Sequence, residues 1–318
     1  MPTEPQRSPT FAAPRCGRPE VLWEAGALLG EGLCWSPAQQ ALHWVDIFGQ
    51  RLMRLHLPTG ARAQWDFGET ISTVAERENG HGLVVALRHR IALFDPDSGE
   101  LQPLHEVEAE LPANRFNDGK CDAQGRFWVG SMDSGCSAPT GSLYRVDRVS
   151  SGHAGGEAAT TIHCAWAAHF PVINGPAWSA DGRTMWVNDT ARNFIHRCDV
   201  DPTTGEMSNP RVWLRFAKGD GYPDGMTIDR DGRLWIAHWA GGCVTCHAGD
   251  DGRELARIEL PTSNITNVAF GGPDMRTLFV SSACAELSAA QQAAQPLAGA
   301  LFAVATDAVG LAPHRFAG

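Results

Sequence analysis

The sequence predicts an all-β chain that folds as a six-bladed β-propeller, with four-stranded blades around a central channel. Three observations support this fold class: six segments share one internal register, their spacing suits propeller blades, and strand-like runs dominate over helical periodicity. Repetition at a fixed period indicates a repeat architecture, because each unit buries its apolar face only against its neighbours.

The six segments each contain a short run, a turn and a second run rich in Trp, Val, Leu or Phe. Their leading positions are Glu31, Ser72, Asn117, Asn174, Asp224 and Thr266. The turn position eight residues later is glycine in four of the segments. Successive turn positions are 41, 45, 57, 50 and 42 residues apart, which matches the roughly 40–50 residues of a four-stranded blade.

Strand signals follow each turn. The runs LHWVDI, LVVAL, RFWVGSM, TMWVND, RLWIAHW and TLFVSS are short and β-branched or aromatic, and third strands are expected at RLMRLHL, IALFD, SLYRVD and FIHRCDV. The Gly- and Ala-rich stretch 150–161 is expected to be an outer loop. Helical periodicity is confined to residues 285–295, where we expect a short surface helix. Parallel βαβ units are disfavoured, because no crossover helix separates the strands.

The repeats indicate one domain rather than two. We expect residues 19–318 to form a single propeller domain, because no long Pro- or Ser-rich linker separates the repeats. Residues 1–18 are rich in Pro and are expected to be a disordered tail. Residues 19–29 are expected to pair with the last blade and close the ring.

The composition limits which binding partners and which cellular compartment we expect. The 318-residue chain carries a formal net charge of −10, so it has no general attraction for nucleic acid. It has no apolar run of the ~20 residues that span a bilayer, and its N-terminus lacks the apolar stretch of a secretory signal. Its nine cysteines are scattered. We therefore expect a cytoplasmic protein with reduced thiols and no membrane or nucleic-acid partner.

The leading positions of the repeats carry the candidate chemistry. The innermost strand of a propeller blade lines the channel, so equivalent positions should face one another around the axis. Glu31, Asn117, Asn174 and Asp224 supply an oxygen-rich set suited to a hard or borderline divalent metal, with two hydroxyl side chains opposite. Each Asn-Gly or Asp-Gly pair taken alone is typical of a turn, and only the shared register favours function.

Several segments resemble the regucalcin/gluconolactonase family of sugar lactonases. They are LGEG, NRFNDGKCDAQGRFWVGSMD, NGPAWSADGRTMWVNDT, YPDGMTIDRDGRLWIAHWAGG, NVAFGGPDMRTLFVSSA and PLAGALFAV. The resemblance covers about residues 21–310 and keeps its order throughout. The NGP, YPDG and FGGPD motifs are most similar to bacterial aldonolactonases, including xylonolactonases.

The resemblance implies a hydrolase of carboxylic esters that opens a small sugar (aldono-) lactone to its aldonic acid. It implies one divalent metal ion held by Glu31, Asn174 and Asp224, and substrate contacts from Arg115 and Asn117. Asp224 is expected to act as the catalytic base toward the attacking water. Oxygen ligands favour Ca²⁺, with Zn²⁺, Mn²⁺, Mg²⁺ and Fe²⁺ as alternatives.

One departure from the family pattern affects substrate choice. Some members carry a substrate-holding Glu shortly after the second strand of the third repeat, where this chain has MDSGCSAP with Gly135 near that place. The choice of lactone and ring size therefore stays open. Alternative functions are hydrolysis of other lactones, esters or organophosphates by the same metal site, or calcium binding by a propeller without turnover.

Overall fold

The computed structural model describes residues 11–149, 159–217 and 219–318, and most of the regular structure there is β-strand. The strands are, in chain order, β1 (Glu20–Trp23), β2 (Gly30–Ser36), β3 (Ala41–Asp46), β4 (Arg51–His56), β5 (Ala61–Asp66), β6 (Ile71–Glu76), β7 (Leu83–Leu87), β8 (Arg90–Phe94), β9 (Leu101–Glu106), β10 (Asn114–Cys121), β11 (Phe127–Asp133), β12 (Gly141–Val149), β13 (Ala159–Phe170), β14 (Ile173–Trp178), β15 (Thr184–Asp189), β16 (Phe194–Val200), β17 (Met207–Arg215), β18 (Tyr222–Ile228), β19 (Arg233–Trp239), β20 (Cys243–Ala248), β21 (Glu254–Glu259), β22 (Ile265–Gly271), β23 (Thr277–Ser282) and β24 (Leu301–Ala305). A short helix, α1 (Ala289–Ala294), follows β23 and buries none of its residues. It confirms the surface helix expected within 285–295.

The strands form six four-stranded antiparallel sheets, which are the six predicted blades. Blades 1 to 5 are β2–β5, β6–β9, β10–β13, β14–β17 and β18–β21. Blade 6 has the order β22, β23, β24, β1, so the first strand of the chain pairs with the last. The innermost strands contact one another in a closed ring that runs from β2 through β6, β10, β14 and β18 to β22, and β22 returns to β2. The fold class and the closure by 19–29 are both confirmed.

The apolar core lies in layers between neighbouring blades. Trp35 of blade 1 stacks on Phe279 of blade 6 with ring centroids 5.6 Å apart. Trp128 of blade 3 meets Trp178 of blade 4 edge to face at 6.0 Å. A buried tryptophan removes on the order of 200 Å² from water, which contributes about 5 kcal/mol. These rings therefore hold each blade against the next and set the shape of the channel.

Two blades share a polar module that ties the turn to the second strand. In blade 5, one oxygen of the buried Asp229 carboxylate accepts hydrogen bonds from Arg233 Nε at 2.7 Å and from Trp235 Nε1 at 2.9 Å. Its other oxygen accepts from the backbone N–H of Asp231 and of Arg233. The same arrangement recurs in blade 3 around Asp122. The DxxGRxW pattern is thus a folding module of the turn.

Every innermost strand is bulged at the leading position of its repeat. The register with the second strand breaks at Glu31–Cys34, Ile71–Thr73, Phe116–Gly119, Asn174–Ala177, Pro223–Met226 and Ile265–Val268. A bulge bends a strand and re-aims its side chains. The six leading positions of the sequence repeats therefore coincide with six local irregularities around the channel.

The C-terminal segment crosses one end of the channel. Gly310 pairs with Asp229 of blade 5, and Phe316 pairs with Arg77 beside blade 2, on the opposite side of the ring. Between them, residues 311–314 line a small cavity of about 100 Å³ together with residues from all six innermost strands. This end of the channel is therefore covered by the chain itself.

Some expectations concern residues that the structure describes only in part. Of the expected N-terminal tail, residues 1–10 lie outside the described residues, and Arg15 forms an ion pair with Asp307 at 2.9 Å. Of the expected outer loop, residues 150–158 lie outside them too, while 159–161 belong to β13. In the described ranges, no helix is long and apolar enough to cross a bilayer.

We expect Asp229→Ala to lower the free energy of unfolding by about 3–5 kcal/mol, because it leaves a buried guanidinium and an indole N–H without their shared acceptor. Ser179 occupies the same repeat position in blade 4 and is the matched control, since Ser179→Ala should cost only about 1 kcal/mol. Chemical denaturation of both variants measures the difference. Equal losses for the two variants would contradict the role given to the module.

Candidate functional site in the central channel

The structure brings the five predicted site residues to one cavity at the open end of the channel. Its volume is about 340 Å³. The lining includes Glu31, Arg115, Asn117, Asn174 and Asp224. These five side chains come from blades 1, 3, 4 and 5, and each residue is at most 6% exposed. They lie far apart in the sequence, and the closed ring of innermost strands brings them together in space.

The bulges place glycines beside the acidic and amide side chains. Gly225 follows Asp224, and a Cβ added to it would lie 2.5 Å from the Asn267 side chain. Gly175 follows Asn174 and has a φ of +82°, a conformation that favours glycine. The Asn-Gly and Asp-Gly pairs are therefore parts of the bulged strands that point functional side chains inward.

Hydrogen bonds link the amides of blades 3 and 4. Arg115 Nη1 donates to Asn117 Oδ1 at 2.7 Å, and Asn117 Nδ2 donates to Asn174 Oδ1 at 2.9 Å. Asn174 Nδ2 in turn donates to Thr190 Oγ1 at 2.9 Å, and Thr190 donates to the Pro223 carbonyl at 2.7 Å. This chain runs from Arg115 to the residue before Asp224 and orients every polar group in it.

Arg115 keeps donors for a ligand. Its guanidinium lies 5.7 Å from the centroid of the Phe48 ring, and its buried Nε has no hydrogen-bond partner among the described residues. Burial lowers the pKa of Arg115 from its ordinary value. A buried cation with an unpaired N–H at a cavity wall is suited to hold a carbonyl or hydroxyl oxygen.

The carboxyl groups lie in an environment that disfavours their charge. Burial raises the pKa of Glu31 to about 8, and the nearby Asp118 charge adds to the shift. Burial also raises the pKa of Asp224 well above its usual range, with the charges of Glu31 and Asp118 as further causes. Only a cation in their midst would let these groups ionise together.

The chain supplies one such cation below the cavity. Lys120, three positions beyond Asn117 on β10, donates to the Met226 carbonyl and lines the small cavity at the covered end. Its charge lowers the pKa of both Glu31 and Asp118, although burial outweighs it. The Lys120 ammonium therefore partly offsets two of the buried carboxyl groups, those of Glu31 and Asp118.

The donor set fits a hard divalent cation. Glu31 and Asp224 offer carboxylate oxygens and Asn174 an amide oxygen at the wall of the cavity. Oxygen donors of this kind suit Ca²⁺, Mg²⁺ or Mn²⁺. No three His, Cys, Asp or Glu side chains in the described ranges form a metal-binding group; the candidate set contains two acids and an amide.

Two ring positions behave differently from the sequence-based expectation. The hydroxyls of Ser72 and Thr266 were expected opposite the acids as further ligands. Ser72 donates instead to the Phe116 carbonyl at 2.6 Å, and Thr266 donates to the Gly30 carbonyl of the adjoining blade. They tie neighbouring blades together, because a short side chain at a bulge reaches the adjacent backbone before it reaches the axis.

Three polar residues of the site were missed by the sequence analysis. They are Asp118, Asn267 and Lys120. Asn267 Nδ2 donates to Glu31 Oε2 at 2.8 Å, and Asp118 accepts from the backbone N–H of Gly119 and Gly175. Asp118 and Asn267 stand one place after the leading position of blades 3 and 6. The sequence signal that could have identified them is the position directly after each leading position, because a bulge directs two successive residues toward the channel.

Comparison with known proteins agrees with this fold and identifies the family. The family model for the SMP-30/Gluconolactonase/LRE-like region matches residues 29–284. The L-arabinolactonase of Azospirillum brasilense is 35% identical over 304 residues, covering 95% of this chain and 96% of that protein. The 6-deoxy-6-sulfogluconolactonase of Pseudomonas putida is 35% identical over 293 residues, covering 92% and 96%.

A solved structure extends the similarity to three dimensions. The calcium-binding protein regucalcin from Agrobacterium tumefaciens superimposes with a TM-score of 0.84 at 30% identity, covering 96% of this chain and 97% of that one. The class is thus a six-bladed propeller with an oxygen-lined channel. Within that class, the chain belongs to the SMP-30/gluconolactonase family, whose named members include lactonases, hydrolases that open cyclic esters.

We expect the free energy of unfolding of chelator-treated protein to fall by on the order of a few kcal/mol as pH rises from about 4.5 to about 8. Glu31 keeps its proton in the folded state over this window and loses it in the unfolded state, so rising pH favours unfolding. Chemical denaturation at several pH values measures the slope. Glu31→Gln should flatten it, and identical slopes in the two proteins would contradict the assignment.

Proposed function

We propose that the protein hydrolyses a sugar (aldono-) lactone to its aldonic acid, using one divalent metal ion. The observation that carries the proposal is the convergence of Glu31, Asn174 and Asp224 with Arg115 on one cavity of about 340 Å³. Family membership and the lactonase relatives support lactone hydrolysis. The buried oxygen donors support the metal. Calcium is favoured by donor chemistry and by the calcium-binding relative of known structure.

The cavity suits the proposed substrate in size and lining. Phe48, Tyr222 and Trp239 supply apolar surface at its wall, and the arginine and amides supply polar contacts. A sugar lactone has an apolar ring face and hydroxyls on its edge, so it needs both kinds of surface. This mixture favours a sugar lactone over a larger apolar ester, which is the alternative substrate class.

Glu31, Asn174 and Asp224 would hold the metal, which supplies Lewis acidity toward the carbonyl oxygen and a lowered pKa of water. The second oxygen of Asp224 accepts the proton of the attacking water. The water oxygen bonds to the carbonyl carbon, the ring C–O bond breaks, and the proton passes to the released ring oxygen. The products are a hydroxyl and a carboxylic acid on one open chain, and the acid releases its proton to solvent to become the carboxylate.

Arg115 and Asn117 take different parts in substrate binding. Arg115 Nε has no hydrogen-bond partner among the described residues, so it donates to the carbonyl oxygen as negative charge develops there. Both N–H groups of Asn117 are used, one on Ile173 and one on Asn174. Its Oδ1 accepts from Arg115 and keeps one lone pair, so Asn117 accepts a hydrogen bond from a substrate hydroxyl.

Asp224→Asn should fold and lose about 10²–10⁴-fold in kcat, because an amide does not accept the proton of the attacking water. Acid release from gluconolactone, xylonolactone and arabinolactone, followed with a pH indicator, measures the loss. Asp250→Asn, an exposed acid of the same blade, is the matched control and should keep full activity. Full activity of Asp224→Asn would refute the assignment of the base.

Chelator treatment should abolish acid release, and one or more of Ca²⁺, Zn²⁺, Mn²⁺, Mg²⁺ and Fe²⁺ should restore it. Metal analysis of the protein as purified, with calorimetric titration of the chelated protein, identifies the ion. Turnover that persists in chelator would remove the metal from the proposal and leave a lactonase. Metal binding without turnover of any lactone would favour the second candidate, a calcium-binding propeller.

A further inference from the structure

The mouth of the site cavity carries an acidic side chain that the proposed reaction does not use. The ionisable Asp, Glu, Lys and Arg residues that line the cavity in the described part of the chain are Glu31, Arg115, Asp224 and Glu286. The first three are buried, and Glu286 alone is exposed. It belongs to blade 6 and therefore faces the cavity from a different side than Arg115 of blade 3.

The backbone around Glu286 is held on both sides. Ala285 N–H donates to the Leu28 carbonyl at 2.9 Å, and Asn264 Nδ2 donates to the Ala285 carbonyl at 3.0 Å. Two residues further on, Ser288 caps α1 through a reciprocal capping box with Gln291. These contacts hold Glu286 between the first loop of blade 1 and the start of a helix.

Glu286 occupies a backbone conformation that is costly for its residue type. Its φ is +62°, in the left-handed region where residues other than glycine are uncommon. Such residues persist when the surroundings over-determine them, and they cluster at ligand-binding sites. The conformation holds the carboxylate over the cavity.

The Glu286 carboxylate has no protein partner in the described ranges that would neutralise it. No hydrogen bond or ion pair of its side chain occurs there. Its charge nevertheless reaches across the mouth to blade 3. Burial is the main cause of the raised pKa of the Cys136 thiol, the Arg115 charge opposes that shift, and the Glu286 charge adds to it.

We propose that Glu286 is a specificity-determining residue that makes the cavity select uncharged sugar lactones. This inference rests on the proposed lactonase function. The carboxylate accepts hydrogen bonds from hydroxyls at the far end of the sugar, which a neutral lactone offers. It repels a lactone that carries a carboxylate, phosphate or sulfonate at that end, because like charges at the mouth of one cavity disfavour each other.

The test compares two γ-lactones that differ in one group. Gluconolactone ends in a CH₂OH group, and glucarolactone ends in a carboxylate at the same carbon. The quantity measured is the ratio of kcat/KM for glucarolactone to kcat/KM for gluconolactone. We expect Glu286→Gln to raise this ratio about fivefold and Glu286→Lys to raise it more than tenfold. In Glu286→Gln, KM for gluconolactone should rise with little change in kcat.

A matched control carries the same charge change away from the cavity. Glu259 lies exposed on the outer strand of blade 5, and Glu259→Lys should leave the ratio unchanged within about twofold. Ionic strength gives a readout without any variant. Because salt screens charges over about 8–10 Å, raising it should increase the wild-type ratio, and this increase should disappear in Glu286→Gln.

The outcomes separate the two proposals. No wild-type turnover of any lactone, xylonolactone and arabinolactone included, overturns the proposed function and this inference with it. Turnover of xylonolactone or arabinolactone but of neither γ-lactone of the test overturns this inference alone. Wild-type turnover with a ratio that neither Glu286 variant changes overturns this inference alone. If Glu286→Lys fails to fold, the nearly isosteric Glu286→Gln and the salt dependence of the wild-type ratio decide. A wild-type ratio insensitive to salt contradicts the electrostatic origin.

Discussion

The structure depends on one constraint: six innermost strands must close around a narrow axis while each carries a bulge at the same place. Closure brings side chains from distant repeats together, and the bulges turn Glu31, Asn117, Asn174 and Asp224 toward the space between them. Neither feature alone makes a site, since regular strands would send alternate side chains into the blade interfaces. The pairing of β1 with β24 therefore supports the geometry of residues far from it.

The channel also buries several carboxyl groups close together, and nearby cations only partly offset the rise in their pKa values. Glu31, Asp118 and Asp224 are buried together; the Lys120 charge lowers the pKa of Glu31 and Asp118, and the Arg115 charge lowers that of Asp224. Burying these carboxyl groups together destabilises the folded state, and apolar packing between blades offsets that destabilisation. The Asp-Arg-Trp modules of blades 3 and 5 contrast with this arrangement, since their carboxylates are fully paired with their own strands. Buried acids thus have two roles in this protein: those paired with Arg and Trp stabilise the turns, and those in the channel form the candidate site.

The register of the repeats predicted the blade count and four of the residues that meet in the cavity, Glu31, Asn117, Asn174 and Asp224, and the family resemblance added Arg115. The register succeeded because a blade is a local pattern, and ring geometry turns equal register into spatial proximity. It failed at Ser72 and Thr266, whose hydroxyls reach the adjacent backbone instead of the axis. It missed Asp118 and Asn267, because a bulge cannot be located from alternation alone. Glu286 was invisible to it, since a loop outside the repeats carries that residue.

The segment from Gly310 to Phe316 joins blade 5 to blade 2 across one end of the channel. The channel is consequently closed at one end and open at the other. In the described part of the chain, Asp224 is reached through the cavity that Phe48, Tyr222 and Glu286 help to line. An open-chain acid that leaves the site passes along the same path as the next incoming lactone. Entry and exit at the site therefore exclude each other in time.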